Sequence, residues 1–196
     1  MPALSGVEGS GVEGPALSHV EGAGGFAVWI TGLPSSGKSA LARVVEERLR
    51  SSHGVRVQVL ESDTLRKVIT PEPTYSLGER ESFYRILADL GDLLTKNGIP
   101  VIFDATANRR RYRERAREAI PRFMEVYVRC PLTVCMARDP KGIYRRGRTG
   151  GTETVPGMQD PYEEPLDPDV VVDSDRETPE EGAEKVLRGI KEKGWI

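Results

Sequence analysis

Cysteine, histidine, net charge and long apolar runs are all scarce in this chain of 196 residues. No apolar run approaches the length that spans a bilayer, so the sequence predicts no membrane-spanning segment and no membrane partner. Its two cysteines, Cys130 and Cys135, form neither a disulfide framework nor the spacing of a zinc site. The formal net charge of −2 argues against bulk binding of nucleic acid. So few cysteines favour a reducing, cytoplasmic location.

The first residues differ in composition from the rest of the chain. PALSGVEG at 2–9 recurs as PALSHVEG at 15–22, and the segment has no aromatic residue. It lacks the basic start and the apolar stretch of a secretory signal. We therefore predict that residues 1–24 form a disordered, low-complexity leader and that residues 25–196 form a single domain.

Short apolar runs alternate with helical patterns from Phe26 onward. This alternation predicts an α/β fold of three layers, with a mostly parallel sheet and helices on both of its faces. Residues 139–165 fit neither pattern, because Gly, Pro and Arg dominate them, and we expect a lid-like loop there. The predicted strands are 26–32, 55–62, 100–106, 124–130 and 169–175, and the predicted helices lie near 38–52, 79–97, 109–120, 131–138 and 179–193.

A glycine-rich stretch follows the first predicted strand. GLPSSGKS at 32–39 fits the pattern G-x-x-x-x-G-K-[ST], with an apolar strand before it and a helical pattern after it. This context is typical of a P-loop NTPase fold, in which the loop binds the phosphates of a nucleoside triphosphate. We expect the nucleotide to contact the following residues: Gly32, Leu33, Pro34, Ser35, Ser36, Gly37, Lys38, Ser39 and Ala40.

The residue types of this loop match its expected chemistry. Gly32 and Gly37 permit backbone turns that bulkier residues resist, so that amide N–H groups can face an anion. Lys38 can reach the β- and γ-phosphate oxygens, which makes it a candidate catalytic residue, and Ser39 can offer its hydroxyl to Mg²⁺. ATP and Mg²⁺ are therefore the predicted cofactors.

Carboxylates follow two of the other predicted strands. Glu61 and Asp63 end the second strand and Asp104 ends the third, and ligands of a parallel sheet lie at these strand ends. One carboxylate could position Mg²⁺, and another could accept the proton of a substrate hydroxyl. Asp63 is our candidate base. A simple helix N-cap is the alternative, and a role of Asp104 as the base stays open.

Arginines are concentrated in two segments. The stretch RDPKGIYRRGR at 138–148 extends into the predicted lid, and basic loops of kinases close over the triphosphate. We expect Arg138 to contact the nucleotide. The run at 109–117 has glutamates at helical spacing and is typical of a solvated helix face.

Other P-loop proteins fit less well. The chain has no N-K-x-D motif of a GTPase. A small-molecule kinase is the main hypothesis. A kinase that acts on nucleic-acid ends is disfavoured by the negative net charge. A noncatalytic nucleotide-binding switch is the alternative from a different class.

The downstream sequence resembles the adenylylsulfate kinase (APS kinase) family of P-loop kinases. EVYVRCPLTVCMARDPKGIYRRGR at 125–148 resembles that family's fourth strand, next helix and lid, and PGMQDPYEEPLDPDVVVDSD at 156–175 resembles its Gly-x-x-Asp-Pro-Tyr-Glu segment and last strand. The resemblance covers residues from about Phe26 to about Asp175. It implies transfer of the γ-phosphate of ATP to the 3′-hydroxyl of adenylylsulfate, a step of sulfate activation. It also implies a homodimer.

The resemblance assigns further residues by position. Asp63 and Arg66 match the second Asp and the Arg of the family's Asp-Gly-Asp-Asn-x-Arg motif, so Asp63 would orient or deprotonate the acceptor. Arg80 and Arg85 match arginines that hold the phosphosulfate end of the substrate, and Lys141 matches a lid lysine near the substrate.

Four departures from the family pattern fall on the acceptor side. Glu61 replaces the first Asp of the Asp-Gly-Asp motif. Phe83 stands where the family has an Asn that contacts the substrate, and Val155 stands where the family stacks a Phe on adenine. DATAN at 104–108 replaces the family's Ile-Ser-Pro and is similar to the Asp-Ala-Thr-Asn of other small P-loop kinases.

Deletion of residues 1–24 tests the predicted leader. We expect a melting temperature within a few degrees of that of the full chain and an unchanged turnover, because the segment has no apolar periodicity with which to pack. Thermal unfolding and a kinase assay of both proteins measure this. A larger drop in melting temperature would mean that the leader packs on the domain.

Overall fold

The centre of the molecule is a five-stranded sheet in which all neighbouring strands run parallel. The computed structural model describes residues 24–149 and 154–196, so residues 1–23 of the predicted leader lie outside the described residues. The sheet has the order β2-β3-β1-β4-β5. Its strands are β1 (Ala27–Thr31), β2 (Gln58–Glu61), β3 (Val101–Asp104), β4 (Phe123–Arg129) and β5 (Val170–Asp173).

Helices cover both faces of this sheet. In chain order they are α1 (Lys38–His53), α2 (Ser62–Ile69), α3 (Leu77–Lys96), α4 (Arg110–Ala119), α5 (Leu132–Arg138), α6 (Ile143–Arg148) and α7 (Pro179–Glu192). The α/β fold class, the parallel sheet and the five predicted strands are confirmed. Of the described residues, no helix is both long enough and apolar enough to cross a membrane.

Helix α6 corrects one prediction, because it lies inside the segment 139–165 that the composition predicts as a loop. The segment turns at Gly142, whose φ of 65° is the left-handed region that favours glycine. The carboxylate of Asp139 then accepts hydrogen bonds from the backbone N–H groups of Tyr144 and Arg145, at 3.2 and 3.0 Å. This satisfies donors of the first helical turn, so a short helix forms where the composition favours a loop.

Alternating side chains of each strand build two apolar layers. Val28 and Ile30 of β1 pack towards α1 and α7, whereas Ala27 and Trp29 pack towards α3 and α4. The sheet is therefore buried on both faces, as the continuously apolar strands predict.

Strand register brings the functional segments to one edge of the sheet. Asp104 at the end of β3 is aligned with Ile30 of β1 on one side and with Glu61 of β2 on the other. The glycine-rich loop after β1 and the carboxylates after β2 and β3 therefore meet at the carboxyl ends of the strands.

The later part of the segment 139–165 is fixed to this edge by polar contacts. Asn108 donates to Asp160 at 2.8 Å, and the Tyr162 hydroxyl lies 3.0 Å from that of Thr31. Arg113, which is 2% exposed, pairs with Glu125 and donates to the backbone carbonyl of residue 163. These contacts place residues 154–156 over the end of the sheet.

Candidate active site

A cavity of about 430 Å³ opens at the carboxyl edge of the sheet. Its walls come from the glycine-rich loop, the start of α2, the first turn of α3, and the segments 138–143 and 154–156. The charged side chains that line it are Lys38, Glu61, Asp63, Arg66, Arg80, Asp104, Arg138 and Lys141. Most of the residues predicted for the site therefore share one cavity.

The glycine-rich loop is tightly packed. A Cβ atom on Gly32 would lie 2.5 Å from the carbonyl oxygen of Val128, so only glycine fits between β1 and β4 at this point. Gly37 has a φ of 103° and stands immediately before α1. The Tyr144 hydroxyl donates to the carbonyl oxygen of Pro34 at 2.9 Å, and that of Ser174 to the carbonyl of Ser36 at 2.6 Å. Both hydroxyls support the loop from outside, and neither residue was predicted as functional.

Some residues of the glycine-rich loop line the cavity, and others do not. The cavity is lined by Pro34, Ser35, Gly37, Lys38, Ser39 and Ala40, whereas Gly32, Leu33 and Ser36 do not line it. Of the loop residues predicted to contact the nucleotide, only some therefore lie at the surface of the cavity.

The ammonium group of Lys38 is buried inside the loop. Lys38 is 8% exposed, and its Nζ donates to the carbonyl oxygen of Leu33 at 2.8 Å. Burial lowers the pKa of Lys38, and the negative charge of Asp104 opposes this effect. A buried cation at the start of α1 is well placed to attract phosphate oxygens.

Asp104 is a buried carboxylate beside this cation. It is 4% exposed, and burial raises its pKa, while the charge of Lys38 and a hydrogen bond from the Ser39 side chain oppose the rise. The Ser39 hydroxyl and the Asp104 carboxylate therefore present adjoining oxygen atoms.

Asp63 lies across the cavity and is paired with the lid. Its Oδ2 is 2.6 Å from Nζ of Lys141, and this contact raises the pKa of Lys141. Both side chains are more than half exposed. Exposed ion pairs contribute little free energy, so a substrate can displace this one at small cost.

The arginines carried over from the family differ in where they lie. Arg66 pairs with Glu79 at 3.3 Å and lines the cavity. Arg80 is 6% exposed and donates from Nη2 to the carbonyl and hydroxyl oxygens of Thr154, at 2.6 and 2.9 Å. Arg85 is exposed and does not line the cavity. Successive residues of a helix are about 100° apart around its axis, so positions five apart differ by about 140°. Arg80 and Arg85 of α3 therefore point in different directions.

Arg138 also lines the cavity. Its Nη2 donates to the carbonyl oxygen of Ser174 at 2.6 Å, so Arg138 links the end of α5 to the loop after β5. Val155 is 2% exposed and packs with Cys130, Cys135 and Tyr144. This small cluster supports the lid side of the glycine-rich loop, and burial raises the pKa of the Cys135 thiol to about 12.

Replacement of Asp104 by Asn tests the cost of burying this carboxylate in the ligand-free protein. Because the folded-state pKa is raised above its ordinary value of 3.8, the folded protein holds the proton more tightly, and stability falls as the pH rises and the group ionises. We expect Asp104→Asn to melt higher than the parent protein near pH 7, and the gain to shrink as the pH falls through the raised pKa towards 3.8.

Thermal unfolding of both proteins over this pH range measures the effect. Asp89→Asn, an exposed carboxylate on α3, is the matched control and should show no such trend. A lower melting temperature for Asp104→Asn near neutral pH would contradict the electrostatic account.

Comparison with known proteins identifies the family. The sequence model of the adenylylsulphate kinase family matches residues 24–173. A probable adenylyl-sulfate kinase of Pyrococcus abyssi is 43% identical over 172 residues, which cover 88% of this chain and 98% of that protein. The adenylyl-sulfate kinase of Halothermothrix orenii is 40% identical over 172 residues, which cover 88% of this chain and 92% of that protein.

The fold is also similar to solved structures. The APS kinase of Mycobacterium tuberculosis in complex with AMPPNP and APS superposes with a TM-score of 0.80 at 33% identity, covering 87% of this chain and 99% of that one. A sugar kinase from Janibacter, at a TM-score of 0.60 and 19% identity, shares the fold alone. The family match, the related sequences and the arrangement of the cavity agree, and this chain belongs to the adenylylsulphate kinase family.

Proposed function

We propose that this protein transfers the γ-phosphate of ATP to the 3′-hydroxyl of adenylylsulfate and so forms phosphoadenylylsulfate. The observation that carries the proposal is the single cavity in which the phosphate-binding loop faces Asp63, Arg66, Arg80 and Lys141. Transfer from a phosphate donor to an anionic acceptor requires both substrates in one cavity, so the groups that bind the donor and those that bind the acceptor must face each other.

The phosphate-binding loop would hold the donor. Lys38, whose ammonium is already positioned by Leu33, would bind the β- and γ-phosphate oxygens and stabilise the charge that develops in transfer. The N-terminus of α1 points to the same place and favours an anion there. Arg138, which also lines the cavity, would contact the nucleotide.

Mg²⁺ fits the donor atoms beside the loop. Hard cations prefer oxygen ligands, and Mg²⁺ in kinases is commonly held by one or two protein groups together with substrate phosphates. The Ser39 hydroxyl and the Asp104 carboxylate have this chemistry and adjoin each other. When bound, the ion would neutralise the charge of the phosphates.

Asp63 would act on the acceptor. As the phosphoryl group forms a bond to the 3′-oxygen, the bond from phosphorus to the leaving ADP oxygen breaks, and the hydroxyl proton passes to the Asp63 carboxylate. Lys141 now occupies one oxygen of that carboxylate. An incoming acceptor would break this ion pair. Asp63 would then contact the hydroxyl of the acceptor, and Lys141 would contact its anionic end.

The acceptor side would be completed by the arginines that line the cavity. Arg66 and Arg80 would gather the phosphosulfate, since guanidinium groups match such oxyanions in pairs of hydrogen bonds. Arg85 lies outside the cavity, so the part predicted for it would fall to the other two arginines. A cytoplasmic location and a homodimer stay predictions.

The substrate panel that tests the proposal also covers the alternatives. Release of ADP should be fastest with adenylylsulfate when compared with sugars, nucleosides, oligonucleotide ends and water. Turnover of another hydroxyl compound and none with adenylylsulfate would favour a different small-molecule kinase. Binding of ATP without turnover of any acceptor would favour a nucleotide-binding switch.

Two substitutions separate the donor from the acceptor side of the site. Lys38→Ala should weaken ATP binding and abolish transfer, because the phosphates lose their buried cation. Asp63→Asn should keep ATP affinity within a few-fold and lower kcat by about 10²- to 10⁴-fold, because the base is lost.

ATP binding by calorimetry and ADP release by a coupled assay measure both effects. Lys96→Ala and Asp89→Asn, at exposed positions of α3, are the matched controls and should behave like the parent protein. Unchanged transfer by Asp63→Asn would remove Asp63 as the base and leave Asp104 as the alternative.

A further inference from the structure

The guanidinium group of Arg66 lies over the ring of Phe83. Its central carbon is 3.9 Å from the ring centroid, which is within the range of a cation–π contact. The rings of Tyr75 and Tyr84 lie further out, at 5.3 and 5.8 Å. We propose that Phe83 is a positioning residue, whose ring holds Arg66 in the orientation that binds the anionic end of the acceptor.

Phe83 cannot act on a substrate directly. It is fully buried, at 0% exposure, and does not line the cavity, whereas Arg66 does. The Phe83 ring is itself fixed, because it meets Tyr84 edge to face at 5.3 Å, and the Tyr84 hydroxyl accepts from the backbone N–H of Ala107 at 3.0 Å. The Phe83 ring thus gives the Arg66 guanidinium a fixed contact within the core.

The position of Arg66 is defined in two directions. The Phe83 ring contacts the guanidinium, and Glu79 accepts a hydrogen bond from its Nη1 at 3.3 Å. Side-chain exposure is only 12% for Arg66 and 15% for Glu79. Among the described residues, the other guanidinium nitrogens have no hydrogen-bond partner, which leaves them for an oxyanion in the cavity.

Without the ring, Glu79 would be the main remaining restraint on Arg66. The single hydrogen bond from Nη1 leaves the guanidinium able to rotate about it, whereas packing against the ring restricts that rotation. Glu79 also accepts from the backbone N–H and the hydroxyl of Thr74, so the carboxylate cannot follow Arg66. Loss of the ring should therefore lower the affinity for the acceptor more than it lowers the rate of phosphate transfer.

This inference rests on the proposed function only for the identity of the anion. The family pattern has an Asn at position 83 that contacts the substrate, and here the contact is indirect, through Arg66. The orientation of Arg66 itself can be measured without any substrate, so the two proposals can fail separately.

Phe83→Leu is the test variant, because leucine keeps an apolar side chain in the core and removes the ring. Phe123→Leu is the matched control, since Phe123 is also a buried ring beneath a guanidinium, that of Arg117 at 5.0 Å, and does not line the cavity. Phe83→Tyr keeps the ring and should behave like the parent protein. Melting temperatures show whether each variant folds.

The first measurement is the nuclear magnetic resonance of the arginine side chains in the ligand-free protein. We expect an Arg66 Nε–H signal with a ring-current shift, assigned by its loss in Arg66→Lys. The shift should become much smaller in Phe83→Leu, where only the more distant rings of Tyr75 and Tyr84 remain, and should persist in Phe123→Leu and Phe83→Tyr. A signal that is unchanged in Phe83→Leu would overturn the proposal, even if the protein proves to act on another acceptor.

The second measurement is steady-state kinetics. Phe83→Leu should raise KM for adenylylsulfate by about three- to thirty-fold, with kcat and KM for ATP within about twofold of the parent values. In an Arg66→Ala background the same substitution should add nothing further, because its effect passes through Arg66. An unchanged KM, or an equal rise in the Arg66→Ala background, would overturn the positioning role. Absence of adenylylsulfate turnover in the parent protein would instead overturn the proposed substrate, and the resonance measurement would then decide the role of Phe83.

Discussion

A buried lysine ammonium at the end of a parallel sheet is the constraint on which the rest of this structure depends. Burial disfavours the charge of Lys38, and the structure compensates with the Leu33 carbonyl and the nearby Asp104 carboxylate. Both compensating groups follow from the fold: the loop after β1 must turn back on itself, and the register places Asp104 directly beside β1. A cation kept in place before the phosphate arrives needs little reorganisation when it does.

The glycine-rich loop that positions Lys38 is itself held in place by residues from distant parts of the chain. Gly32 leaves no space for a side chain beneath Val128, and hydroxyl groups from α6 and from the end of β5 hold the loop from its outer side. The segment 138–148 therefore contacts the glycine-rich loop through Tyr144 and Asp63 through Lys141. In the proposed mechanism the two substrate sites would share this one element, which suits a reaction that must exclude water while both substrates are bound.

Local patterns made the fold and the glycine-rich loop after β1 predictable. The strands are continuously apolar because both faces of the sheet are covered, and the phosphate-binding motif specifies its own backbone through Gly32, Gly37 and Lys38. Helix α6 was missed because its first turn depends on the turn at Gly142 and on the Asp139 carboxylate, within a segment rich in Gly, Pro and Arg. The outward position of Arg85 could have been derived from the helical period of α3. The contact of Phe83 with Arg66 could not, because it depends on how α2 and α3 pack together.

The position of the transferred phosphate tests the central claim most directly. Phosphorus nuclear magnetic resonance of a reaction of this protein with ATP, Mg²⁺ and adenylylsulfate identifies both products. The account predicts ADP together with a new phosphate monoester whose phosphorus couples to the ribose proton on carbon 3′. Release of inorganic phosphate alone, or a monoester at any other hydroxyl, would contradict the proposal that Asp63 and the arginines of the cavity present the 3′-hydroxyl of adenylylsulfate to the nucleotide.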